Sequence, residues 1–131
     1  MEREQREELV RAAFAHWNAS PDEVTQFSHP EGVVHSAVTG ETYEGHEGLR
    51  RWMTEIDEQF DRWELRADKF RDLPPEGLLV IGAISMRGRS SGIELEQPVV
   101  WHFRFREDLV LEMTVFADVD EGLAAARADG A

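Results

Sequence analysis

With 131 residues, 41% of them hydrophobic and 31% charged, the chain is sized for a single folded domain, 1–131, with a core of its own. Its 27 acidic residues against 14 basic ones give a formal charge of −13, which repels nucleic-acid phosphates and anionic membrane surfaces. The absence of cysteine excludes disulfides, thiol nucleophiles and cysteine-ligated metal sites.

The chain opens Met1-Glu2-Arg3-Glu4-Gln5-Arg6-Glu7-Glu8, without the basic and apolar regions of a secretion signal. No apolar run approaches the roughly 18–20 residues of a membrane span, so a cytoplasmic protein is expected. Leu9, Val10, Ala13, Phe14 and Trp17 then repeat at helical spacing. Ser20-Pro21-Asp22-Glu23 carries the signature of a second helix start, with Ser20 as N-cap. His29-Pro30-Glu31-Gly32 is expected to break that helix before a first strand over Val33–Val38. Val33, His35 and Ala37 share one face of that strand, and Val34, Ser36 and Val38 the other. Thr39-Gly40 reads as a turn into a short extended piece, Thr42-Tyr43.

A third helix is predicted from Gly45 to about Arg62, with Leu49, Trp52, Met53, Ile56 and Phe60 on one stripe. Four strands follow. Trp63, Leu65 and Ala67 alternate on the first, and Pro74-Pro75-Glu76-Gly77 fits a hairpin connection to the second, Leu78 to about Arg89. Ser90-Ser91-Gly92 turns the chain into Ile93–Arg106, where Trp101, Phe103 and Phe105 face one way and Val100, His102, Arg104 and Arg106 the other. Glu107-Asp108 leads into Leu109–Ala117, and Asp118 caps a final helix. Helices gathered before a run of antiparallel strands make an α+β fold, with the helices on one face of a curved sheet and the other face free.

The run Tyr43-Glu44-Gly45-His46-Glu47-Gly48-Leu49-Arg50-Arg51-Trp52, and the late series from Trp101 to Val110 followed by Phe116-Ala117-Asp118, resemble the SnoaL-like group of the nuclear transport factor 2-like superfamily. That superfamily also holds the ketosteroid isomerases. The resemblance runs from about Leu9 to Ala126. It implies a cone, in which a strongly curved antiparallel sheet wraps N-terminal helices around an apolar pocket. It also implies a homodimer through the outer sheet face, and no cofactor. The fold hosts enzymes and binding modules alike, so it does not fix a function.

Counted back from Gly45, His35 and Ser36 straddle the place where the isomerases carry their proton-moving carboxylate, which is missing here. An imidazole can move protons at neutral pH, so His35 is the candidate catalytic residue. The isomerase tyrosine on the first helix has no counterpart among Ala12, Ala13, Phe14 and Trp17, and the late-strand acid position falls on Trp101. The five histidines include no pair four apart on a helix, so no metal site is expected.

Phe14, Trp17, His35, Ile84, Met86, Trp101, Phe103, Leu111 and Met113 are the expected ligand-binding residues, and they suit a small lipophilic molecule. Two readings stay open: a non-catalytic binding module, which the apolar lining favours, and a cofactor-free isomerase or cyclase of a lipophilic carbonyl compound using His35.

Overall fold

The computed structural model describes residues 2–19, 25–37, 39–74 and 76–129. Its element order is α1 (Arg3–Ala19), β1 (Ser28–His35), β2 (Thr42–Glu44), α2 (Gly45–Gln59), β3 (Phe60–Leu73), β4 (Gly77–Gly88), β5 (Glu94–Arg106), β6 (Leu109–Phe116) and α3 (Val119–Asp129). The six strands form one open sheet in the order β2-β1-β6-β5-β4-β3. All neighbours are antiparallel except β1 and β6, which run parallel. The expected α+β cone is therefore the observed architecture.

Each helix forms where its apolar spacing allows a buried stripe. In α1 the stripe is Val10, Ala13, Phe14 and Trp17, and in α2 it is Leu49, Trp52 and Ile56. Both stripes face the inner side of the sheet, where Trp101, Phe103 and Phe105 stand in the alternation expected for β5. Phe14 meets Trp101 edge-on at 4.8 Å between ring centroids.

Several local expectations are corrected. The first strand starts at Ser28, because the His29–Gly32 stretch enters the sheet as a bulge against β6 instead of breaking the chain. The strand ends at His35, before Ala37. The predicted helix start at 20–24 lies outside the described residues; 25–27 form a short 3₁₀ turn. The α2 helix stops at Gln59, and Phe60 opens β3.

The outer face is not free either. Leu73, Leu79 and Val100 are buried there beneath Val119, Leu123 and Ala126, so α3 lies against the back of the sheet. Gly122 permits the close approach, since a Cβ at that position would stand 2.7 Å from Val100 Cβ. His102, buried on the same face, donates from Nε2 to the Gly122 carbonyl at 2.8 Å. Asp118 caps the helix as expected, its Oδ1 accepting the Glu121 N–H at 3.0 Å.

Candidate functional site

The inner face of the sheet closes on α1 and α2 around a small apolar cavity of about 30 Å³. All four tryptophans of the chain line it: Trp17 from α1, Trp52 from α2, Trp63 from β3 and Trp101 from β5. Three of the four methionines do so too: Met53, Met86 and Met113. Ile56, Leu65, Ile84 and Val115 complete the wall, and no ionisable side chain stands among these residues. The volume is about that of one water molecule.

A second recess of about 180 Å³ adjoins it, lined by Ala37, Phe60, Gln97, Val99 and Ala117. It shares Ile84, Met86 and Val115 with the inner cavity, so those three side chains stand between the two spaces. Ser36, buried just beyond the end of β1, accepts the Trp52 indole N–H at 3.0 Å and so fixes that ring.

Of the residues expected to form the site, the structure gathers Trp17, Ile84, Met86, Trp101 and Met113 around the cavity. Phe14 and Phe103 are buried beside it, filling the core instead of lining the space. Leu111 is displaced by a bulge. Arg104 pairs with Glu112 and Phe105 with Val110, so β6 carries one extra residue between them. Val110 and Met113 consequently both point inward, and Leu111 falls outside the core. Trp52, Met53, Ile56, Trp63, Leu65 and Val115 join the lining without having been expected there from the sequence. The helical stripe of α2 and the alternation in β3 were the signals that could have found them.

His35 is not in the cavity. Val34 and Ser36 are the inward residues of this stretch, so His35 faces the opposite side, with 41% of its side chain exposed. There its Nε2 donates to Glu112 Oε2 at 3.3 Å, and its Nδ1 stands 3.0 Å from Thr42 Oγ1. The carboxylate can only accept, so Nε2 carries a hydrogen, and the Thr42 hydroxyl can pair with Nδ1 as donor or acceptor.

A second polar group closes the α2 side. Tyr43 is fully buried, and its hydroxyl donates to Glu55 and lies 2.7 Å from Thr39 Oγ1. Burial first, and the hydrogen bond to Glu55 second, push its pKa up to about 12. Arg51 covers the ring at 4.5 Å and pairs with Glu41 and Glu55. Among the described residues, no three histidine or acidic side chains converge in a way that could hold a metal ion.

The sequence profile of the SnoaL-like domain matches residues 10–113, most of the chain, from within α1 to within β6. The chain belongs to the SnoaL-like family. Solved structures agree on the fold. A candidate polyketide cyclase from Xanthomonas campestris pv. campestris superposes with a TM-score of 0.78 at 14% identity, covering 95% of this chain and 98% of that one. A nuclear transport factor 2-like protein of unknown function from Burkholderia pseudomallei gives 0.77 at 17%, covering 95% and 97%. A protein of ketosteroid isomerase-like fold from Catenulispora acidiphila, in complex with trimethylamine, gives 0.76 at 16%, covering 92% of each chain. A comparison with curated protein sequences finds no match. No helix among the described residues is long and apolar enough to cross a membrane.

Proposed function

We propose that this SnoaL-like protein binds a small lipophilic molecule inside the cone and does not transform it. The observation that carries this reading is the convergence of four tryptophans and three methionines on one space with no ionisable side chain. General acid–base chemistry needs a titratable group within hydrogen-bond reach of the substrate. The lining offers polarisable surface instead, which suits a flat or compact apolar ligand. A ring-sized guest needs on the order of 150 Å³, so the ligand enters by displacing Met86, a flexible side chain, and joining cavity to recess. The trimethylamine complex of the Catenulispora protein supports the view that this fold admits small organic guests.

Tryptophan fluorescence tests the proposal directly, because all four fluorophores line the cavity. Titration with naphthalene should give a saturable change in emission. Met86→Ala should tighten binding by enlarging the space, and Val115→Phe should abolish it. A signal that never saturates, or that ignores both substitutions, overturns the reading.

A second reading, proton transfer by His35, is favoured by the Glu112–His35–Thr42 array, and would require a substrate on the outer surface. His35→Ala would then remove turnover of a lipophilic ketone without changing naphthalene binding. We also propose that the protein works in the cytoplasm as a homodimer through the part of the outer sheet face that α3 leaves bare. The exposed Arg66, Glu94 and Glu96 and the half-buried Arg87 supply both signs of charge there. Light scattering at micromolar concentration should give twice the monomer mass.

A further inference from the structure

One oxygen interrupts an otherwise apolar lining. In the walls of the cavity and of the recess beside it, Gln97 of β5 carries the only side-chain oxygen. The tryptophan indoles add N–H donors, and the remaining side chains are hydrocarbon or thioether. Gln97 stands opposite Ile84 in the ladder between β4 and β5, and Ile84 is one of the three residues that separate the two spaces. A guest that displaces Met86 and spans both therefore has one end among the tryptophans and the other beside Gln97.

The amide is not free to turn. Its Nε2 donates to the Pro98 carbonyl at 2.9 Å and to the Ala117 carbonyl at 3.1 Å. Both amide hydrogens are thereby used, and a flipped amide would set its oxygen against two carbonyl oxygens. Pro98 has no N–H, so here the side chain supplies a donor that the backbone of β5 lacks, where β6 has just ended at Phe116. Oε1 is left over. Among the described residues, none donates a hydrogen bond to it.

We propose that Gln97 selects the guest: Oε1 accepts a hydrogen bond from a hydroxyl or N–H carried at one end of a flat, otherwise apolar molecule. The ligand class is then a phenol or an N–H heterocycle. This rests on the reading that the cone takes a lipophilic guest, and adds the one polar contact that orients it. The acceptor is held in place before the ligand arrives, so little ordering is needed on binding. A guest without a donor would expel water from Oε1 and leave that oxygen bare, which costs affinity.

The test compares 2-naphthol with 2-methylnaphthalene, in which a methyl of similar size replaces the hydroxyl. Equilibrium dialysis at neutral pH gives the dissociation constant of each. In Gln97→Leu the ratio of the two affinities should move about tenfold towards the hydrocarbon, because the buried hydroxyl then has no acceptor. A role confined to tying β5 to the end of β6 would weaken both ligands alike and leave the ratio where it was. Should the leucine variant fail to fold, Gln97→Met takes its place with the same expected shift. A ratio that stays within about twofold of the parent's in a folded variant overturns the proposal. The two readings fail separately. If 2-methylnaphthalene saturates the parent protein but the ratio ignores Gln97, only the choice of guest is wrong. If neither compound saturates, the cone takes no lipophilic guest and both readings fall.

Discussion

The two faces of the sheet solve the same problem differently. On the inner face, β3, β4, β5 and β6 send aromatic and sulfur-bearing side chains against α1 and α2, and the lining of the remaining space carries no charge. On the outer face an apolar patch lies under α3, and a charged strip next to it carries Arg66–Asp68, Arg66–Glu96 and Arg87–Asp61 pairs. The hydrogen bond from Arg87 holds the Asp61 carboxyl below its usual range, and Arg66 does the same for Asp68. Both pairs are solvated, so they orient the surface more than they stabilise it. Stability should reside in the inner face and in the seam beneath α3.

The largest expected effect tests the inner face. Trp101 is 1% exposed, and Trp101→Ala should cost about 3–5 kcal/mol in chemical denaturation. A loss below about 1 kcal/mol would mean that the inner face is not the seat of stability. The seam under α3 comes next. Gly122→Ala forces a methyl against Val100 and should cost about 1–3 kcal/mol. If the variant is as stable as the parent, α3 rides loosely on the sheet.

Tyr43 gives a pH-dependent effect of smaller size. Its pKa is about 12 in the folded chain against 10.0 ordinarily, so the folded state holds the phenol proton more tightly. The resulting stabilisation is complete below pH 10 and is lost as pH rises through 12, by about 1.4 kcal/mol at pH 11 and about 2.7 kcal/mol at most. Tyr43→Phe should flatten that part of the stability profile, and an unchanged profile would place the phenol in water. The smallest effect belongs to the outer strip, where Arg87→Ala should change stability by less than about 1 kcal/mol, and less still in high salt.

The inner face was the legible one. Trp101, Phe103 and Phe105 alternate without interruption along β5, so their common face could be read from spacing alone. Two things hid the rest. Bulges break the two-residue rule: the one in β6 moves Leu111 out of register with Met113, and no local sequence feature announces it. Strands apolar on both faces erase the distinction between them. Leu78-Leu79-Val80-Ile81 feeds both clusters at once, so the seam for α3 could not be told from a continuous core. Val33-Val34 presents the same ambiguity. With a valine on each face, the side on which His35 lies depends on the sheet pairing and not on the residues beside it. The cavity lining is therefore legible where it rests on large aromatics, and not where placement rests on the phase of a short strand.

The parallel ladder between β1 and β6 carries a consequence for how the chain assembles. Val34 pairs with Met113, about eighty residues later, whereas β3 to β6 are each antiparallel to the strand that follows or precedes them in the chain. Closing so long a loop comes at an entropic cost that the neighbouring hairpins do not bear. On a ribosome, the first strand of this protein must wait for the last to emerge. Until then the hydrophobic stripes of α1 and α2 have only a partial sheet to cover them, and it is the final fifth of the chain that completes the cone.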